Sequence, residues 1–209
     1  MVIFSLKNNR KTFIHMNKCT AWNNVTNSKF YNPKNDAIDT MESTVIVDSS
    51  EISSSGDKGI SIGENSNVII HNTHIYDNNI GIAVKDNSIA KAFYTDFINN
   101  TFQVESYQKN YKYGNGGRIE ITKSNFISDT NKIESDKRSS ITIDDSTFNN
   151  KVDVENSNII LSEEIDFDGN KTSIKNVNID EIDLMMGYIK NIKNVKNVNI
   201  RGSDFTNNY

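Results

Sequence analysis

The chain has 209 residues, an apolar fraction of 35% and a formal net charge of −4, with both signs scattered along its length. One domain of that size buries a real core, although globular proteins usually reach about 45–50% apolar with Gly counted. No basic block or Arg–aromatic interleaving points to nucleic acid, and no run approaches the ~18 apolar residues of a membrane span.

The first residues, MVIFSLKNNRKTFIHMNK, hold too short an apolar run for a signal-peptide core and turn polar at once. The expectation is a cytoplasmic product as encoded, or a piece of a longer extracellular or cell-surface protein. The single Cys19 has no internal disulfide partner and no metal-ligand neighbours at familiar spacings. The apolar set is mostly Ile, Val and Phe, which suit strands. Asn makes up about one residue in six, and Pro33 is the only proline.

From residue 35 onward the chain repeats. NDAIDTMES, DKGISIGENS and NIGIAVKDNS share a core whose central residues are Ile38, Ile60 and Ile82, and the next step of 22 lands on Val104 in TFQVESY. A second phase reads turn residue, small hydroxyl, polar, apolar: NSKF (Asn27–Phe30), SSEI (Ser49–Ile52), NTHI (Asn72–Ile75), YTDF (Tyr94–Phe97), KSNF (Lys123–Phe126) and DSTF (Asp145–Phe148). The steps are 22, 23, 22, 29 and 22, the long one accounted for by an insertion, YQKNYKYGNGG, at residues 107–117. Later copies, NSNI (Asn156–Ile159), NVNI (Asn176–Ile179) and GSDF (Gly202–Phe205), come at irregular steps of 11, 20 and 26.

A unit of about 22 residues with two or three short period-2 runs between Asn, Asp, Ser and Gly corners is one coil of a parallel β-helix. Leucine-rich repeats would need a Leu ladder, and a sandwich would give no columns. With coils about 4.8 Å apart, Phe30, Ile52, Ile75, Phe97, Phe126 and Phe148 stack inward. The hydroxyl column Ser28, Ser50, Thr73, Thr95, Ser124, Ser146, Ser157 and Ser203 also points in, where it can bond from coil to coil. Asn and Asp corners tolerate left-handed backbone. The fold expected is all-β, a single-stranded parallel β-helix over residues 1–209 as one domain of about eight or nine coils, roughly 40 Å long. Its clear repeats run 27–148 and its irregular coils 149–209, and GSDFTNNY would leave an open sheet edge that needs a cap, a partner, or an end-to-end or lateral copy of the chain.

NDAID, GDKGISIGENS, IGIAVKDNS and YQKNYKYGNGG resemble right-handed β-helix repeats of the pectate-lyase-like superfamily, and more narrowly β-helix segments of bacterial surface proteins that stand beside CotH-type kinase or lamin-tail-like domains. The likeness covers residues 35–126 well. It implies right-handedness and a fold shared by lyases, hydrolases, epimerases and plain binding surfaces. The paired-Asp, His-Gly and Arg-x-Lys signatures of β-helix polygalacturonases, and the Asp-Pro-His-Asp motif of β-helix mannuronan epimerases, are not visible.

The candidate site residues fall in three groups. GDKGISIGENS is no phosphate loop, because strand rather than helix residues follow, and its glycines read as corners. Around it Glu42, Glu64 and Asp86 form an acidic column beside Met41, Gly63 and Lys85, flanked by Asn35, Asp57, Asn79, then Asp36 and Lys58. Neighbouring carboxylates at that spacing repel by roughly 1 kcal/mol in water, so Lys58, Lys85, solvent or a Ca²⁺ ion should offset them. A Ca²⁺ could bridge Glu42, Glu64 and Asp86 to an acidic sugar, with Lys85 or Lys58 as a lyase base; the alternative is a solvated charged ridge. His74 faces outward between Glu51 and Asp96, fitting a general acid or a polar surface column. The insertion places Tyr107, Lys109, Tyr111 and Tyr113 on one face, to stack on sugar rings or simply cover the core.

The function expected is a non-catalytic β-helix module presenting a polar face to an acidic or neutral polysaccharide or to a surface protein, as part of a larger surface protein. A polysaccharide-acting enzyme, a lyase before a hydrolase or epimerase, is the alternative.

Overall fold

A computed structural model of the chain describes residues 5–7, 12–136, 138–155, 159–161, 171–175, 178–185 and 195–201, with side-chain surroundings for 12–136 and 138–153. Every strand pairing among the described residues is parallel, and through residue 155 partners lie one coil apart. Each coil contributes one strand to each of three faces. Face A holds Ile14–Asn17, Ile38–Met41, Lys58–Gly63, Ile80–Lys85 and Phe102–Tyr107. Face B holds Asn23–Thr26, Thr44–Asp48, Asn67–His71, Ile89–Phe93, Arg118–Thr122 and Ser140–Asp144. Face C holds Lys29–Tyr31, Glu51–Ser53, His74–Tyr76 and Asp96–Ile98. In the next coil Asn125–Ser135 runs unbroken from face C into face A, so the two faces merge into one sheet. About six turns stack through residue 155, and Lys171–Lys175, Asn178–Met185 and Val195–Arg201 extend the sheets in parallel register.

Three apolar columns fill the interior. Face A supplies Ile38, Ile60, Ile82, Val104 and Ile133, each in register with the next. Face B supplies Val25, Val47, Ile70, Ala92, Ile121 and Ile143. Face C supplies the expected column, in which Phe97, Phe126 and Phe148 stack nearly parallel with centroids 4.8 and 4.2 Å apart. All are at most 4% exposed, so alternation with an apolar inner row is what closes the tube.

Each corner carries its own polar ladder, because the chain must turn without orphaning buried N–H groups. Between faces B and C, Asn27, Ser49, Asn72, Tyr94, Lys123 and Asp145 take left-handed backbone with φ of 46–51°. The hydroxyl that follows donates to the carbonyl two residues back, as from Ser124 to Thr122 at 3.0 Å. It also accepts an N–H from the coil before: Ser28 N–H to Ser50 at 3.2 Å, Thr95 N–H to Ser124 at 3.2 Å, Ser124 N–H to Ser146 at 3.1 Å. A second hydroxyl ladder, Ser43, Ser66 and Ser88, serves the corner between faces A and B. The third corner uses amides: the carbonyl oxygen of the Asn100 side chain accepts both the backbone and side-chain N–H of Asn78, while its amide group donates to Ile75 and Gln103. Of the later repeats, NVNI brings Ile179 into register with Phe148 and NSNI has only Ile159 among the described residues, while Ser157, Ser203 and GSDFTNNY lie outside them.

Candidate functional site

Face A is where the outer surface departs from the repeat. Its outward row runs His15, Asp39, Ser61, Ala83, Glu105, Glu134 in strict register. The parallel row beside it holds Asn17, Met41 and Gly63, then Lys85 and Tyr107. Ser61 and Ala83 point away from the core yet are fully buried. Their small size makes a floor, and long side chains lie across it. The Lys85 ammonium donates to the Ser61 hydroxyl at 2.8 Å, and its Cε is 3.4 Å from where a Cβ on Gly63 would stand.

Lys58 closes one end of this floor. Its Nζ is 2.5 Å from Asp57 and 4.0 Å from Asp36, and its backbone N–H donates to Asp36 at 3.1 Å. Lys58 and Lys85 are only 9% and 6% exposed, uncommon for lysines. Burial pushes the Lys85 amine below its ordinary range, against the pull of Asp39. Burial likewise raises the Asp36 carboxyl, with Lys58 opposing, and the Glu64 carboxyl, with Lys85 opposing. At the other end Glu105 is pushed up to about 7, by burial first and then by Glu134. The neighbouring Tyr107 phenol is raised too, by burial and by Glu105. A pocket of about 300 Å³ opens here, lined by Glu105, Ser106, Tyr107, Glu134 and Asp136.

Asp57, Lys58, Glu64, Lys85, Tyr107 and Lys109 are thus brought within electrostatic reach of one another around face A. The acidic column is stacked as its spacing predicts: Glu42, Glu64 and Asp86 sit at successive corners with left-handed φ of 46°, 51° and 52°. Glu42 N–H donates to the Glu64 carbonyl at 2.8 Å. Asp86 is fully buried, and one carboxylate oxygen accepts the N–H groups of Lys109 and Asn110 at 2.8 and 2.6 Å. It fastens the insertion to the coil beneath. Among the described residues no three His, Cys, Asp or Glu side chains converge as a set that could hold a metal ion.

The insertion is a ten-residue connection, 108–117, where other coils turn from face A to face B in two to five. Asn110 caps a single 3₁₀ turn, Tyr111–Tyr113. Tyr111 is 77% exposed with the Arg138 guanidinium 5.6 Å from its ring centroid, and Lys112 lies over Tyr113 at 4.5 Å. Tyr113 is thus engaged within the loop and Tyr111 by Arg138 of the next coil, whereas Tyr107 belongs to face A.

His74 lies apart, on face C. It is in register with Glu51 and Asp96 as the spacing predicts, with Nδ1 2.9 Å from Asp96. Lys29 and Tyr31 hold Glu51 at 2.6 Å each and keep its carboxyl low. His15 and His71 similarly meet Asp39 at 2.8 Å and Asp48 at 3.1 Å in the next or previous coil. Of the glycines in GDKGISIGENS read as corners, only Gly56 is at one, where a Cβ would stand 2.4 Å from the Lys34 carbonyl oxygen; Gly59 and Gly63 lie within the strand Lys58–Gly63 of face A.

Sequence reasoning missed Glu105, Glu134 and the amide ladder. Glu105 and Glu134 are 29 residues apart because the insertion intervenes, so they align only after that offset is applied.

No curated protein and no solved structure matches the chain. The family model described as the right-handed β-helix region matches residues 4–115, just over half of the 209 residues and all but the last rungs of the face just described. With three-faced parallel coils stacked about 22 residues apart, the chain belongs to the right-handed β-helix family.

Proposed function

We propose that the chain is a binding module whose face A takes an extended glycan. The observation that carries this reading is the concentration of partly or fully buried ionisable groups on and around one face. Asp36, Glu64, Lys85, Glu105 and Tyr107 are all shifted from their ordinary values, and all line or flank face A. Perturbed groups gathered in a depression mark functional sites more often than structural ones. A straight ladder of strands suits a linear polymer, with small residues as floor, charged groups along it and Tyr107 at one end to stack on a ring. The test is a glycan array probed with the full chain, then repeated with Glu105→Gln. Signal on linear oligosaccharides that the substitution removes supports the reading, and an array that stays blank overturns it in favour of a protein-binding or purely structural rod.

A second reading is a polysaccharide-acting enzyme, a lyase first. What favours it is Lys85, an amine whose burial shifts it toward the neutral form a proton-abstracting base needs. The resemblance of the repeats to the pectate-lyase-like superfamily points the same way. Incubation with uronate polysaccharides, with and without Ca²⁺, followed by the ultraviolet absorbance of a new carbon–carbon double bond, decides it. A rise that Lys85→Ala abolishes makes the protein a lyase; a flat trace removes that activity.

A further inference from the structure

We propose that the pocket at the Tyr107 end of face A hydrolyses a glycosidic bond of the glycan bound there. Glu105 is the acid that protonates the departing oxygen, and the Glu134 carboxylate is the nucleophile at the sugar carbon. The inference rests on the glycan-binding reading above and adds a reaction to it.

Three carboxyl groups line this pocket of about 300 Å³: Glu105, Glu134 and Asp136. Asp136 is turned to structural use, accepting from Gln108 N–H, Arg138 N–H and the Ser139 hydroxyl. Glu105 and Glu134 stand in register on the neighbouring parallel strands Phe102–Tyr107 and Asn125–Ser135, and both are half-buried. They are one rung apart, about 4.8 Å at the backbone. Hydrolysis with retained configuration uses two carboxyls about 5–5.5 Å apart, whereas inversion needs about 6.5–9.5 Å to admit a water between sugar and base. A one-rung pair fits the first geometry.

The surroundings assign the acid. Burial first, and then Glu134, push Glu105 up to about 7 against the pull of Lys58, so in mildly acidic solution it holds a proton to give. Tyr107, next along the same strand, offers its ring to the sugar. Rungs bearing Asp39, Ser61 and Ala83 precede the pocket, and the strand Thr147–Glu155 follows it in register. The glycan can therefore continue past the pair on both sides, and the bonds cut are internal ones.

The chemistry balances with water as the only co-reactant. A Glu134 oxygen bonds to the anomeric carbon as the glycosidic C–O bond breaks. The electron pair of that bond goes to the leaving oxygen, which takes the Glu105 proton. Water then attacks the glycosyl ester, gives a proton back to Glu105 and frees Glu134.

The experiment incubates the full chain with hexasaccharides of cellulose, chitin, mannan and polygalacturonate in mildly acidic buffer. It follows new reducing ends, identifies the first-formed anomer by proton NMR, and measures binding of the same four by calorimetry. Cleavage of at least one is expected, with the configuration of the substrate kept in the product. Glu134→Gln should lower kcat at least about thousandfold while calorimetry still detects the oligosaccharide, and Glu105→Gln should lower kcat about hundredfold or more. In Glu134→Ala, added azide should restore cleavage and yield a glycosyl azide of the opposite anomer, which a merely structural role would not produce. The two Gln variants are near-isosteric, so if one fails to fold the other still reports. Binding without new reducing ends overturns this inference and leaves the glycan-binding face standing. Cleavage that both Gln variants retain, or a first product of inverted configuration, overturns it as well. If none of the four binds, the glycan reading itself falls and the reaction with it.

Discussion

The inner corners and the outer row of face A obey opposite rules. At the corners the same residue type recurs coil after coil: Ser or Thr beneath faces B and C, Ser between A and B, Asn between C and A. Each is buried and bonded, and each satisfies a backbone group that a turn would otherwise orphan. Along face A the outward residue follows no repeat, running from Asp39 to Ser61, Ala83, Glu105 and Glu134. Nothing in coil stacking asks for that order, and two like charges in register work against it. Repetition here reports architecture. Departure from it, where buried charge accumulates, marks what architecture does not explain.

The comparison can be broken from its inner side first. Phe126→Ala removes the middle ring of the Phe97–Phe148 stack, and denaturant unfolding should show a loss of about 4 kcal/mol. A loss below about 1 kcal/mol would mean that the aromatic column is not what holds successive coils together.

Gly56→Ala should lose roughly 2–3 kcal/mol, because its Cβ would press on the Lys34 backbone. Gly63→Ala, whose Cβ would make only ordinary contacts of 3.4 Å or more with the flexible end of Lys85 and the Thr40 carbonyl, should change stability by less than about 0.5 kcal/mol. Similar effects at the two glycines would contradict the assignment of one to a corner and the other to the face.

The outer row can be tested through pH. The Glu105 carboxyl titrates at about 7 in the folded chain against 4.5 unfolded, so between those values the folded state holds the extra proton. Stability on its account is fully present below 4.5 and falls as pH rises through about 7. Glu105→Gln should flatten that fall and gain about 1 kcal/mol in mildly alkaline buffer, discounted for partial exposure. Thermal melts across this pH range measure it, and an unchanged slope would place Glu105 in water rather than in a desolvated row.

Smaller and more local is the effect of Asp86→Ala. It should speed hydrogen exchange at the Lys109 and Asn110 amides by about tenfold or more while leaving face B amides protected. Smallest of all, His74→Gln on exposed face C should stay within about 0.5 kcal/mol of the parent.

Much of this is legible in the sequence. The 22-residue step from Ile38 to Val104 foretold the face A core column, and the hydroxyl two residues before each apolar end foretold the ladder that Ser28, Ser50 and Ser124 make. His74 could be placed between Glu51 and Asp96 by spacing alone. What spacing could not convey is depth. Lys85 and Asp86 are adjacent in sequence and equally polar, yet one lies across a floor of small residues and the other is sealed beneath a loop. Burial of that kind depends on side chains from other coils. The insertion also hid the Glu105–Glu134 pair, since a fixed period fails at the coil where the chain adds residues.

That insertion carries one more consequence. Phe97 and Phe126 still stack nearly parallel across it, at 4.8 Å against 4.2 Å for Phe126 and Phe148 without it, so the tube keeps its register with the 108–117 corner in place. At its tip a side chain at Gly114 would point into open space, with no atom of another residue beyond its chain neighbours within 4 Å of the Cβ position. The corner is a natural splice point. A foreign peptide grafted at Gly114 should be displayed on a rigid stem beside face A, and a lineage of such proteins could change its specificity there without renegotiating its fold.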